Sequence, residues 1–256
     1  MDTQTSEVPA ITLQALSKSF GKGRKKSLVL DNLNLEIPAG EVFGFLGPNG
    51  AGKSTSIKLL LNFSRPESGS IQVLGKQTRQ EEFRQHLGYL AEFPIFYDHL
   101  TGTETLTYSA RLSAVPRAIY QQRIPLLLER MNLAHAAGKK VHSYSKGMKQ
   151  RLGMANALVH DPELLILDEP MSGLDPVGRH LMKELILELR SQGKTVFFSS
   201  HILSDIASLC DRIGILNRGR LLYSGAIEPL YNEHGLRDLE QIFINLVEAD
   251  NHARTV

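Results

Sequence analysis

The sequence predicts an α/β fold: a parallel-sheet core carrying an antiparallel β layer and an inserted α-helical lobe. Three observations predict it. Val42–Leu46, Leu164–Leu167 and Thr195–Phe198 are short, dense apolar runs, the pattern of parallel strands buried on both faces. Apolar residues alternate over 11–15 and 33–37, as in half-buried strands of an antiparallel layer. The stretch Phe93–Leu158 carries helical spacing and few β-like runs.

Each element follows in chain order. Ile11, Leu13 and Ala15 are expected on one face of the first strand, and Leu33, Leu35 and Ile37 on one face of the second. Gly21-Lys-Gly-Arg-Lys-Lys26 between them is a short basic run in a glycine-rich loop, read as solvated surface. Val42–Leu46 leads through a glycine-rich turn into a helix over Ser54–Asn62. In the helical lobe, about 93–158, Pro116 and Pro125 are expected to break or start helices. Val177–Gln192 fits a helix with Leu181, Leu185 and Leu189 on one face and Gly193 as its stop. Lying between two apolar strands, it indicates a parallel sheet. Ile213–Ser224, with Asn217-Arg-Gly-Arg220 at its centre, reads as a hairpin. A last helix over about Leu236–Val247 has the stripe Leu239, Ile242, Phe243, Leu246, read as internal packing. Residues 1–256 are taken as a single domain.

Bulk composition narrows the class. Of 256 residues, 42% are hydrophobic and 22% charged, as in ordinary globular proteins. Lys plus Arg number 29 against 27 Asp plus Glu, a formal charge of +2, so no strong basic field calls for nucleic acid. The one cysteine, Cys210, excludes an intrachain disulfide and suits a reducing compartment. No stretch approaches the roughly 18 apolar residues of a bilayer span. Met1–Pro9 is polar and acidic, unlike a signal peptide. A membrane role is thus expected to need a second chain.

The chemistry begins at Gly47-Pro48-Asn49-Gly50-Ala51-Gly52-Lys53-Ser54-Thr55, which matches the P-loop pattern of glycine, four residues, glycine, lysine and serine. Glycines let successive N–H groups turn toward anionic phosphates, and the helix that follows adds the positive end of its dipole. Lys53 offers a point charge to the terminal phosphates, and Ser54 a hydroxyl to Mg²⁺. Leu164-Leu-Ile-Leu-Asp168-Glu169 is an apolar strand ending in two acids. At the carboxyl end of a parallel strand, Asp168 suits a Mg²⁺ ligand and Glu169 a residue that orients or deprotonates water. The guanine-reading Asn-Lys-x-Asp pattern is absent from the sequence, which disfavours a small regulatory GTPase.

With these motifs in place, nearly the whole chain resembles the ABC (ATP-binding cassette) ATPases. Tyr144-Ser145-Lys146-Gly147-Met148-Lys149-Gln150 stands where that family has its Leu-Ser-Gly-Gly-Gln signature, with Ser145 placed 23 residues before Asp168. Ser145 and Gly147 match; Lys146 and Met148 depart. Ser145 also reads as a helix N-cap, so this helix end is a second anion site. Ser172-Gly-Leu-Asp175 is similar to the family's D-loop, His201 stands at the place of its switch histidine, and Phe20 at that of the aromatic that stacks on adenine. Where the family has a glutamine that reaches Mg²⁺, this chain has Glu92; a carboxylate can still bind Mg²⁺ but adds negative charge beside the γ-phosphate.

The resemblance implies ATP and Mg²⁺ as cofactors, and a dimer in which the signature of one copy completes the P-loop site of the other. Lys53, the loop amides, Mg²⁺ and the partner copy's Ser145 would stabilise the transferring phosphoryl group. Glu169 would hold the water, and His201 would link the γ-phosphate to its neighbours. It implies a separate transmembrane permease and a place on the cytoplasmic face of the cell membrane. The Tyr-Ser-Lys-Gly-Met signature, Glu92 and the tail Leu239–Phe243 resemble the subgroup that exports drugs, antibiotics and polysaccharides. The alternative is a soluble ATPase of the same family acting as a switch or assembly factor.

Overall fold

A computed structural model of the chain describes residues 8–21, 23 and 26–253. Lys22, Arg24 and Lys25 of the basic loop, and residues 1–7, lie outside them. In chain order the elements are β1 (Ile11–Phe20), β2 (Ser27–Ile37), β3 (Val42–Leu46), α1 (Lys53–Leu60), β4 (Ser68–Val73), β5 (Lys76–Gln77), β6 (Leu87–Leu90), α2 (Gly102–Leu112), α3 (Arg117–Arg130), α4 (Lys146–Leu158), β7 (Leu164–Asp168), α5 (Pro176–Ser191), β8 (Thr195–Ser200), α6 (Leu203–Leu209), β9 (Arg212–Asn217), β10 (Arg220–Ala226), α7 (Ile227–His234) and α8 (Leu239–Ala253). They form two compact units: the residues up to Phe83 together with those from Thr195 onward, and Arg84–Lys194.

In the first unit, β2, β1, β4 and β5 form an antiparallel sheet in that order. β3 lies between β8 and β9 and is parallel to both. Every residue of β3 and β8 is buried, the reason both read as continuous apolar runs rather than alternations. The rings of Phe43 and Phe197 stack there with centroids 6.0 Å apart. A Cβ on Gly44 would come within 2.7 Å of Cys210 Sγ and Ile206 Cδ1, so any larger residue there has to displace both side chains. Burial pushes the Cys210 thiol well above its usual range, which leaves it inert.

β1 corrects one expectation. Ala15 is exposed and left-handed at φ 49°, and Leu16 takes the buried place. The register between β1 and β2 shifts at this point. The Ala15 N–H donates to Asn34 Oδ1 at 2.8 Å, and the Asn32 N–H, at φ 54°, to Ser17 Oγ at 3.0 Å. Two short polar side chains thus satisfy the backbone groups that the bulge displaces. α1 starts one residue earlier than expected, at Lys53. The hairpin of β9 and β10 turns through Arg218 (φ 44°) and Gly219 (φ 81°), the double positive φ that suits a two-residue connection. α8 begins at Leu239 rather than Leu236 because Gly235, at φ 63°, closes α7 just before it. Leu239 and Ile242 of its stripe are buried.

The second unit has the parallel pair β6 and β7. Between them the described residues hold α2, α3 and α4 and no strand. α2 opens with a capping box: the Glu104 N–H donates to Thr101 Oγ1 at 3.1 Å, and the Thr101 N–H to Glu104 Oε2 at 2.7 Å. Pro116 caps α3 as expected, but Pro125 lies inside that helix and does not break it. Its fixed φ is helical, although its ring nitrogen withholds the bond to the carbonyl one turn earlier and the ring crowds that carbonyl. α5 is capped by Asp175 with Pro176 in its first turn, and it ends at Ser191 ahead of Gly193 at φ 75°.

Candidate nucleotide site

The P-loop belongs to the first unit. β3 ends at Leu46, which pairs with Ser200 of β8, so Gly47 and His201 leave the same end of adjacent parallel strands. The loop's glycines answer different demands. A Cβ on Gly47 would strike the Leu216 carbonyl, whereas one on Gly50 would meet nothing within 4 Å. Gly50 is needed for its φ of 80°, and Gly52 for both a φ of 115° and a close approach to Leu30 Cδ2. Lys53 is 9% exposed; its Nζ donates to the carbonyls of Gly47 at 2.6 Å and Pro48 at 3.3 Å. The ammonium is therefore held over the loop whose amides would receive phosphate. Ser54 is exposed and Thr55 half-buried, while Pro48 is half-buried and Asn49 exposed at the loop's tip. Ala51 is buried, its carbonyl accepting from the Gly219 N–H at 2.9 Å.

Phe20 ends β1 with 46% of its surface exposed, and Lys18 Nζ lies 5.1 Å from its ring centroid. An aromatic left this exposed at a strand end is available for stacking. His201 is exposed, and the Ser200 Oγ before it accepts the Ile202 N–H at 3.0 Å.

The second unit gathers the acids and the signature. Leu90 of β6 pairs with Leu167 of β7, so Glu92 and the Asp168–Glu169 pair leave the same end of parallel strands. Asp168 is 8% exposed, and Glu169 is half-buried. Glu169 holds φ 49°, a left-handed conformation that costs a non-glycine residue of order 1–3 kcal/mol. Gln150, from the signature helix, was missed as a site residue: it is 1% exposed, and its amide donates to the carbonyls of Pro170 at 3.3 Å and Glu169 at 3.5 Å. Met148 fills the signature's own glutamine place, and Gln150, two residues on, carries no separate signal in the sequence. Burial, with Asp168 adding its charge, pushes the Tyr89 phenol up to about 12, so Tyr89 stays a neutral donor.

Ser145 caps α4, accepting the Met148 N–H at 3.2 Å. A Cβ on Gly147 would lie 3.3 Å from the Gly173 carbonyl, and one on Gly173 would lie 2.5 Å from Lys146 Cε. Signature and D-loop therefore pack glycine to glycine, with the departing Lys146 laid across Gly173 and its Nζ 5.2 Å from the Phe93 centroid. Asp175 accepts the Gly178 N–H at 2.7 Å, so its carboxylate caps α5.

Residues 30–172 match the family model described as ABC transporter. An uncharacterised ABC transporter ATP-binding protein of Nostoc sp. is 47% identical over 88% of this chain and 69% of its own length. The bacitracin transport ATP-binding protein BcrA of Bacillus licheniformis is 42% identical over 81% of this chain and 66% of its own. The chain thus spans about two thirds of the length of these curated relatives. A solved ATP-binding subunit of an ABC transporter superposes with a TM-score of 0.84 at 31% identity, over 93% of this chain and 99% of that one.

Proposed function

The chain belongs to the ABC transporter family, among its ATP-binding subunits, and on that premise we propose that it hydrolyses ATP to drive export through a separate membrane-spanning permease. The observation that carries this reading is the P-loop itself: a fully buried strand, two glycines at positive φ, and Lys53 drawn over the loop.

The groups present fit a Mg²⁺–nucleotide. Ser54 and Asp168 are oxygen donors suited to Mg²⁺, with Glu92 as a further carboxylate. Among the described residues no group of three or more His, Cys, Asp or Glu is gathered to hold a metal. Mg²⁺, when bound, neutralises charge on the phosphates. Phe20 stacks on the base, and residues 47–55 and Lys53 hold the phosphates. Glu169 orients a water and accepts its proton as the water oxygen bonds to the γ-phosphorus and the bond to the bridging oxygen breaks. His201 steadies the γ-phosphate.

A single P-loop and a single signature per chain support a homodimer in which Ser145, Gly147 and Asp175 of one copy serve the nucleotide of the other. Residues 1–256 then form one nucleotide-binding domain, with the helical segment at about 93–158 inserted. Phe93, Ile95, Tyr97 and Leu112 are 61%, 92%, 56% and 69% exposed. This apolar surface of the second unit suits a cytoplasmic helix of the permease, which would hold the chain at the cytoplasmic membrane face. Among the described residues no helix is long and apolar enough to cross a membrane. The Tyr144–Met148 signature supports export, and the name of the bacitracin relative supports transport.

Affinity capture of the chain from its native membranes in mild detergent tests this reading. A polytopic membrane protein recovered at comparable abundance is the expected result. A purely soluble partner would replace the transporter reading with that of a switch ATPase.

A further inference from the structure

We infer that the C-terminal helix α8 positions the phosphate loop through the β9–β10 turn, with Asn217 as the positioning residue. The inference rests on the reading of the P-loop as a nucleotide site.

The turn touches the loop at both ends. The Leu216 carbonyl oxygen lies 2.4 Å from where a Cβ on Gly47 would stand, and the Gly219 N–H donates to the Ala51 carbonyl at 2.9 Å. The same turn is anchored to α8. Asn217 is 2% exposed, and its amide donates to Asp250 Oδ2 at 2.8 Å and to Asn251 Oδ1 at 3.3 Å. One of these bonds has an ionisable carboxylate as acceptor, the stronger kind of hydrogen bond. A buried amide stripped of its acceptors loses more than the bond itself, because the donor cannot return to water. The turn therefore takes the loop-supporting position most favourably when the last turns of α8 are docked.

Coupling of this kind is reciprocal. If docked α8 favours the loop conformation that binds phosphate, nucleotide must favour docked α8 by the same factor. The segment around Asp250 lies well away in sequence from every motif of the site, yet only one side chain and one turn separate it from the loop. Partners or modifications that act on α8 would then tune nucleotide affinity without touching the site.

The test uses the full chain, with ATP affinity measured calorimetrically below the unfolding temperature of each variant. Asn217→Ala and Asp250→Ala are expected to weaken ATP binding about three- to tenfold, the scale of one ordinary hydrogen bond. Asp250→Asn keeps an oxygen acceptor and is expected to restore most of the affinity. In the wild type, ATP is expected to slow amide exchange over residues 242–253, and Asn217→Ala to abolish that protection. A purely structural contact would lower the unfolding temperature and leave affinity and ATP-dependent exchange unchanged, and that result overturns the inference. Should Asn217→Ala fail to fold, Asp250→Ala, at a partly exposed position, carries the test. Wild-type chain that binds no ATP would instead overturn the nucleotide-site reading, and the inference with it.

Discussion

Lys53 Nζ donates to the carbonyl oxygen of Gly47 across 2.6 Å, so the lysine of the phosphate loop is folded back onto the loop's first residue. A cation this buried is poised to exchange carbonyl oxygens for phosphate oxygens as the anion enters. Lys53→Ala is therefore expected to weaken ATP binding by about ten- to a hundredfold, the worth of one to two charge-assisted hydrogen bonds. Calorimetric titration with ATP measures it, and unchanged affinity would remove Lys53 from the phosphate site.

Gly47 and Gly50 separate two reasons for glycine in one loop. A Cβ at Gly47 meets the Leu216 carbonyl, whereas at Gly50 it meets open space. Gly47→Ala must push backbone apart and is expected to cost about 3 kcal/mol. Gly50→Ala carries only the strain of a positive φ, about 1 kcal/mol. Urea denaturation of the two variants gives the comparison, and equal losses would contradict it.

Glu169 combines the proposed site role with a left-handed backbone. Glu169→Gly relieves its φ of 49° and is expected to make the protein more stable, by about 1 kcal/mol at most because glycine also loosens the unfolded chain. Phosphate release should be lost in the same variant. A lower unfolding temperature for Glu169→Gly would show that the left-handed conformation is held without strain.

His160 supplies a pH dependence unrelated to the nucleotide. Its Nε2 lies 3.1 Å from the Leu87 carbonyl. Burial is the main cause holding its imidazole below the ordinary value, opposed by the Leu87 bond, with the charges of Arg123 and Lys194 lowering it further. The unfolded chain therefore takes up a proton at higher pH than the folded one. Stability is fully present above about pH 6.5 and falls as the pH drops through the unfolded value toward the folded one. Unfolding temperatures from pH 7.5 to 5 should decline in the wild type and decline less in His160→Gln; parallel curves would assign the acid limb to other groups.

Much of this architecture is written in local patterns. β3, β7 and β8 are buried along their whole length, so their apolar runs stood out. Asp175, Gly193 and the Arg218–Gly219 pair stop and start elements by their own backbone chemistry. What escaped depends on distant groups. The bulge at Ala15 is held by Asn34, and no periodicity announces it. Pro125 lies inside α3, on its exposed side, and its own chemistry predicts a break there. Gln150 stands two residues past the signature's glutamine place, but the bond by which it braces the Pro170 carbonyl 20 residues away exists only once α4 packs against β6, the strand paired with β7. The left-handed conformation of Glu169 was equally hidden, since glutamate carries no preference for it.

The central claim is that this site hydrolyses ATP with Glu169 handling the water. The most direct measurement is Mg²⁺-dependent phosphate release by the purified full chain, compared with Glu169→Gln, together with the ATP that each retains. The account predicts release by the wild type, and at least a hundredfold loss in Glu169→Gln with ATP still bound unhydrolysed. Undiminished release by Glu169→Gln would contradict it.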